Sequence, residues 1–184
     1  MRRKQMFRES AMNQREMQSR VLFLTPGVVC APAGPARLCA VTASGVAVTV
    51  FDRARQRGGM GHYLHPKRAH GMSNPHFAAP ALASLVELFR REGSRLEDLE
   101  TFLYGGAENP DAQGFDAGRG ARNVQAGLEI LERLGVPAAG TDAGGRWGRK
   151  VAFFTATGEA VTARVTAVRA GDWYPSAAEA HGAG

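Results

Sequence analysis

Cysteine and histidine are the residues of this sequence best suited to covalent chemistry, and both types are few. The chain has two cysteines, Cys30 and Cys39, and five histidines. A cysteine thiolate attacks carbonyl carbons well when a histidine beside it takes the thiol proton. Four of the histidines are close together in sequence, namely His62, His65, His70 and His76. A thiol–imidazole pair is therefore the first chemistry to look for.

The same histidines could instead bind a metal ion, but their spacing argues against it. Zinc sites combine four ligands drawn from histidine, cysteine and carboxylate side chains. The spacings here match no standard zinc pattern, and neither a cysteine pair nor a nearby carboxylate completes a set of four. We therefore expect no metal centre.

Gly118-Arg119-Gly120 lacks the full glycine fingerprint and the lysine of a phosphate-binding loop, so it indicates the start of a helix.

The composition is that of a globular domain with a basic extension at its N-terminus. Hydrophobic residues make up 44% and charged residues 22% of the 184 residues, and the formal net charge is +6. Residues 1–20 contain six basic and two acidic residues, which leaves only +2 for the rest of the chain. A basic arm could still bind nucleic acid or anionic lipid weakly, but it is not the basic face of a nucleic-acid-binding domain. No apolar run reaches the ~18–20 residues of a membrane span. Because two cysteines cannot build a disulfide scaffold, we expect a cytoplasmic location.

Hydrophobic periodicity divides the chain into interleaved strands and helices. We expect a disordered extension over residues 1–20, a folded domain over 21–168 and a loose tail over 169–184. The predicted strands are 21–29 with its turn, 46–51, 60–64, 99–104, and the hairpin of 150–155 with 160–166. The predicted helices lie at 77–92 and around 124–134. This order indicates an α/β or α+β class in which helices cover a mixed sheet.

Six short motifs occur in an order and at a spacing that are specific when taken together. They are Leu24-Thr25-Pro26-Gly27, Thr42-Ala43-Ser44-Gly45-Val46-Ala47-Val48, Gly58-Gly59-Met60-Gly61-His62, Tyr104-Gly105-Gly106-Ala107, Gly120-Ala121-Arg122-Asn123-Val124 and Asp142-Ala143-Gly144-Gly145. With these motifs, roughly residues 22–166 resemble the CheD family, the chemoreceptor glutamine deamidases of bacterial chemotaxis. The resemblance implies an α/β fold, a three-layer α/β/α sandwich around a mixed β-sheet.

The resemblance also implies a Cys–His centre that hydrolyses the carboxamide of receptor glutamines. In this chemistry the thiolate attacks the carboxamide carbon, ammonia leaves, and the histidine activates the water that hydrolyses the remaining thioester. The histidine position of the family corresponds to His62, and the nucleophile position, seventeen residues earlier, corresponds to Gly45. A third position, six residues before Gly45 and usually serine or threonine in the family, is Cys39. The site thus departs from the family pattern where the nucleophile belongs.

Two interpretations of this centre are open. In the first, the protein has lost catalysis, because loss of the nucleophile of a comparable enzyme costs on the order of 10⁶ in kcat. In the second, Cys39 faces the space above Gly45 and is the replacement nucleophile, with His62 as general base. Ser44 is a weaker candidate, because in an extended segment its side chain points away from that of residue 45.

The resemblance implies partners rather than cofactors. The partners are the cytoplasmic helices of methyl-accepting chemoreceptors and, for some members, a CheC-type phosphatase; no metal, organic cofactor or specific nucleic acid is implied. The alternative function is a non-catalytic module that binds the receptor or the phosphatase. We expect Gly105-Gly106 and Gly144-Gly145 to form tight turns where a receptor helix approaches the backbone. Cys30 is expected to be a small buried hydrophobic residue.

Overall fold

The computed structural model describes residues 20–67, 73–111 and 114–166. The described strands are β1 (Val21–Phe23), β2 (Val29–Cys30), β3 (Arg37–Thr42), β4 (Val46–Asp52), β5 (Arg57–Tyr63), β6 (Leu99–Gly105), β7 (Ala138–Ala143), β8 (Gly148–Phe154) and β9 (Ala160–Val165). The described helices are α1 (Ala78–Arg91), α2 (Arg119–Arg133) and one 3-10 turn at Leu96–Asp98. Apart from Arg20, the extension over 1–20 and the tail over 169–184 lie outside the described residues. None of the described helices is long and apolar enough to span a bilayer.

Five strands form a mixed sheet, called here the central sheet, in the order β2-β5-β4-β6-β7. Every residue of β4 is buried, as is typical of a short β-branched run that is covered on both faces. β4 pairs antiparallel with β5 and β6, and β7 joins the edge parallel to β6. The strands predicted at 46–51, 60–64 and 99–104 are confirmed, with small differences at their ends.

Four strands form a second mixed sheet, called here the outer sheet, in the order β1-β3-β8-β9. It packs on one face of the central sheet, because Leu38 of β3 and Phe153 of β8 share a buried cluster with Ala47 and Met60. The predicted β8–β9 hairpin is confirmed, and it turns at Gly158, whose φ of +75° favours glycine.

Both described helices cover the opposite face of the central sheet. Leu82, Leu85 and Phe89 repeat along one face of α1 and share a buried cluster with Val48 of β4 and with Leu131 of α2. Burial of each of these side chains contributes about 1.5–3 kcal/mol relative to exposure. The two predicted helices are confirmed, and α2 begins five residues before the start of its apolar pattern.

The α/β class with mixed sheets is confirmed, and the described residues add the order of the layers. These layers are helices, central sheet and outer sheet, so the second cover of the central sheet is a sheet and not the helical layer of an α/β/α sandwich. The reason is that Leu38 and Ala40 of β3, together with Val151 and Phe153 of β8, point to one side and give the outer sheet an apolar inner face. Strand β7 was not predicted, because residues 138–143 are small or polar and show no alternation of apolar positions.

Candidate active site

His62 lies on β5 and points into the space between the two sheets. It pairs with Ala47 of β4, and the residue is 1% exposed. Its Nδ1 lies 3.2 Å from the backbone oxygen of Leu24. Since a carbonyl oxygen can only accept a hydrogen bond, Nδ1 carries the proton and Nε2 carries the lone pair. The fold therefore presents a neutral imidazole with its basic nitrogen available.

The lone pair on Nε2 of His62 faces Gly45. Nε2 is buried and has no hydrogen-bond partner among the described residues. A β-carbon at position 45 would lie 3.5 Å from it. A side chain one atom longer would place its reactive atom within reach of a hydrogen bond to the imidazole. The structure thus brings together the two positions that the spacing pairs, His62 and Gly45.

The space that a side chain at position 45 would need is already filled. A β-carbon there would lie 2.8 Å from Leu64 Cδ2 and 2.8 Å from the backbone oxygen of Tyr63. Both distances are shorter than the roughly 3.5–4.0 Å of favourable contacts between heavy atoms. Neighbouring atoms therefore pack closely against Gly45. A larger residue would require the Leu64 side chain to move and the Tyr63 backbone to shift slightly.

Cys39 is not brought to this imidazole. Its neighbours Leu38 and Ala40 face the core between the sheets, so strand alternation places the Cys39 side chain on the other face of the outer sheet. Burial raises the pKa of the Cys39 thiol, and the Arg37 guanidinium beside it only partly offsets this rise. Only the Cys39 backbone is linked to the site, because its oxygen accepts a hydrogen bond from Leu24 N at 2.7 Å.

Among the described residues, the other thiol and histidines do not lie against Gly45, although His76 is near enough to His62 to contribute to its lowered pKa. Cys30 is half-buried on β2 and packs at the edge of the cluster between the sheets. His65 contacts the Phe77 ring, with the ring centroids 5.3 Å apart. The His76 ring lies directly against Gly27, where a β-carbon would be 2.4 Å from it. His70 lies outside the described residues.

The Gly105-Gly106 turn packs against the turn that carries Gly45. Gly106 N donates to the Gly45 oxygen at 2.9 Å, and Ala107 N donates to the Ala43 oxygen at 2.7 Å. The close approach that these glycines allow is thus made by the protein's own backbone. The hypothesis that a receptor helix approaches there is not needed to explain them.

Glu108 supports the same region by capping helix α2. The residue at the N-cap, Gly118, has no side chain to cap with. Instead the Glu108 carboxylate accepts hydrogen bonds from Gly118 N at 3.0 Å and Ala121 N at 3.1 Å. A carboxylate at a helix N-terminus satisfies free N–H groups and interacts favourably with the helix dipole. This carboxylate occupies the place that a phosphate would need, so Gly118-Arg119-Gly120 is the start of a helix, as predicted.

A cleft of about 1040 Å³ opens beside Gly45. Ala43 and Ser44 line it next to the site, and it extends past Phe115 and Trp147. These two aromatic side chains are 40% and 42% exposed. Large apolar side chains exposed around a concavity are typical of binding surfaces. Ser44, the weaker nucleophile candidate, is half-buried and lines the cleft.

A buried arginine holds the loop that carries Trp147. Arg149 is 4% exposed and donates at 2.6 Å to the backbone oxygens of both Gly144 and Trp147. It also forms an ion pair with Asp142, with the atoms 3.0 Å apart. Charge-assisted hydrogen bonds of this kind are strong, so the cleft wall is fixed.

Asn123 is the residue of this site to which the sequence assigned no role. Its buried side-chain amide donates hydrogen bonds to the backbone on both sides of the Gly45–His62 pair. The only sequence signal was its place within the Gly120–Val124 motif.

The burial of His62 predicts a loss of stability in acid. Burial lowers the pKa of His62 to about 4, whereas an unfolded chain has a histidine pKa near ~6.5. Between these values the unfolded state binds a proton that the folded state does not, so the free energy of unfolding falls as the pH falls. We expect a loss of about 3 kcal/mol from pH 7 to pH 4 relative to the His62→Gln variant, whose amide can also donate to Leu24. Urea unfolding across this range measures the difference, and parallel profiles would contradict it.

Comparisons with known proteins identify the family of this chain. The family model described as CheD chemotactic sensory transduction matches residues 65–164, more than half of the chain. A protein of Trichlorobacter lovleyi named probable chemoreceptor glutamine deamidase CheD is 32% identical over 146 residues, covering 79% of this chain and 91% of the relative. A Rhodospirillum rubrum protein of the same name is 32% identical over 136 residues, covering 74% and 77%. The chain therefore belongs to the CheD family.

Proposed function

We propose that this protein binds chemoreceptor helices at the cleft beside Gly45, and that its glutamine deamidase activity is lost or severely impaired. The observation that carries the loss of catalysis is that the His62 imidazole faces a residue without a side chain. His62 has the geometry of a general base, since it is neutral, is oriented through Nδ1 and has no hydrogen-bond partner at Nε2 among the described residues. Gly45 supplies no atom that could attack a carboxamide.

The impaired activity follows from the chemistry of the missing nucleophile. Without a thiolate no thioester can form, and loss of the nucleophile in a comparable enzyme costs on the order of 10⁶ in kcat. The filled space above Gly45 supports the same conclusion, because Leu64 and the Tyr63 oxygen leave no room for a substitute group. The alternative, a deamidase that uses Cys39, has less support, because the Cys39 side chain lies on the other face of the outer sheet.

A purified receptor cytoplasmic fragment with glutamine at its substrate position tests both parts of the proposal. We expect the wild-type protein to bind the fragment in a calorimetric titration and to release no ammonia above the uncatalysed rate. Ammonia release that is abolished by Cys39→Ala would contradict the loss of catalysis. An absence of both binding and release would contradict the receptor partner.

The Trp147→Ala variant tests the place of binding. Exposed tryptophans at the centre of an interface often contribute 2 kcal/mol or more, which corresponds to roughly 30-fold in Kd. We expect a loss of about this size for the receptor fragment, because Trp147 lines the same cleft as Ser44. Val161→Ala is the matched control, since Val161 is 61% exposed at the opposite end of β9 from the cleft. Equal affinities of the Trp147→Ala variant and the wild type would place the binding surface elsewhere.

A further inference from the structure

Asn123 ties together the two chain segments that form the site. Its side chain is fully buried, and Nδ2 donates to the backbone oxygens of Ser44 at 2.7 Å and Leu64 at 2.8 Å. Ser44 directly precedes Gly45, and Leu64 follows His62 by two residues. Because only the NH₂ end of an amide donates, the two carbonyl acceptors fix the orientation of the side chain. One nitrogen atom therefore joins the β3–β4 turn to the end of β5.

Helix α2 reaches this place because small residues share the face that carries Asn123. Gly120 and Gly127 lie three residues before and four residues after it, on the same side of the helix. A β-carbon at Gly120 would lie 2.4 Å from the Gly106 oxygen, and one at Gly127 would lie 2.3 Å from the Tyr63 hydroxyl oxygen. Larger residues at either position would push the helix away from the site.

The Asn123 side chain has an unfavourable feature at this place. Its Oδ1 is buried without a hydrogen-bond partner among the described residues. A buried polar atom left unpaired costs about 1–3 kcal/mol, which an apolar side chain of similar size would avoid. The backbone oxygen of Asn123 also accepts a hydrogen bond from the Tyr63 hydroxyl at 2.8 Å, next to His62. These contacts indicate a role beyond the filling of space.

We propose that Asn123 is a positioning residue that holds the Ser44–Gly45 backbone against the His62 imidazole. It acts through the carbonyl groups of Ser44 and Leu64, which accept its two hydrogen bonds. The assignment of this pair as the centre rests on the proposed function, whereas the clamp itself rests on distances within the fold. If both donors are removed, the turn can move away from β5 and water can reach Nε2.

An NMR titration of the His62 ring nitrogens in the isolated full-length protein tests the clamp. In the Asn123→Leu variant, which keeps the branched four-atom shape of the side chain but has no donor, we expect the pKa of His62 to rise from about 4 towards the ~6.5 of an exposed imidazole. Leu131→Ala is the matched control, because it creates a cavity in the same helix within the buried core. It should lower the stability while the pKa of His62 stays near its wild-type value.

An unchanged His62 titration in Asn123→Leu, or an equal rise in Leu131→Ala, would overturn the proposal. If Asn123→Leu does not fold, Asn123→Ser is titrated instead, since its hydroxyl can donate only one of the two hydrogen bonds. The same direction of change is then expected, and its absence again overturns the clamp. The titration requires neither receptor nor activity, so failed receptor binding would leave its result unaffected and the two proposals can fail separately.

Discussion

The Gly45→Cys, Leu64→Ala double variant is expected to release ammonia from a glutamine-bearing receptor fragment that the wild-type protein leaves unchanged. The first substitution supplies a thiol at the position that faces Nε2 of His62. The second removes the side chain that now occupies the space of the new β-carbon. Because about 10⁶ in kcat depends on a nucleophile and a misplacement of ~1 Å can cost ~100-fold, we expect roughly a 10⁴-fold gain over the wild type.

The reason for two substitutions is the crowding above Gly45. A β-carbon at this position meets Leu64 Cδ2 and the Tyr63 oxygen at 2.8 Å each, but it lies 3.5 Å from Nε2, close to the geometry that a thiol–imidazole pair needs. The Leu64 side chain is only half-buried, and the backbone hydrogen bond from Leu64 N to the His76 oxygen survives its truncation. Relief of this contact leaves only a small shift of the Tyr63 backbone to be absorbed.

Three control variants test whether the gain depends on the new thiol, on the space left by Leu64 and on His62. Gly45→Cys alone should gain less, because its thiol is displaced by Leu64, and Leu64→Ala alone should gain nothing. Adding His62→Ala to the double variant should remove the restored activity, because no base is left to take the thiol proton. Ammonia release is followed together with the mass change of the receptor peptide. A double variant that binds the fragment and yet stays inactive would show that more than the nucleophile has been lost.

The pairing of residues 45 and 62 could be predicted from sequence, whereas the crowding above Gly45 could not. Family spacing places a histidine opposite the nucleophile, and the regular antiparallel pairing of β4 and β5 puts His62 beside Ala47, two residues beyond Gly45. The contact of Leu64 with that space depends on a side-chain rotamer and on backbone shifts of tenths of an ångström. Hydrophobic periodicity carries no information at that scale.

The prediction for Cys39 shows a second limit of sequence spacing. A position six residues before the nucleophile can be counted, but its side-chain direction depends on which face of β3 turns towards the core. Leu38 and Ala40 take the inner face. Because a strand alternates with a period of two, this choice places Cys39 on the outer face.

Asn123 was equally hard to predict, since its role depends on two carbonyl groups that are more than fifty residues away in sequence.

Gly105→Ala is expected to destabilise the protein by about 3–5 kcal/mol, the largest effect among single glycine-to-alanine substitutions near the site. Gly105 has a φ of +120°, and an added β-carbon would lie 2.3 Å from the Gly45 oxygen and 2.6 Å from Thr42 Oγ1. The free-energy cost of the strained backbone adds to the cost of the collision with another backbone segment. Relief of the collision would have to move the Gly45 carbonyl group, which accepts the hydrogen bond from Gly106.

The Gly144→Ala variant separates the cost of backbone strain from the cost of the collision. Gly144 also has a positive φ, of +77°, but an added β-carbon there would meet no atom within 4 Å. This substitution should therefore lower the free energy of unfolding by only ~1–2 kcal/mol, the cost of a left-handed conformation for alanine. Urea unfolding of both variants measures the difference. Equal losses would mean that the Gly105 turn is free to move away from Gly45, and the support that this turn gives to the Gly45 backbone would then be much weaker than its contacts indicate.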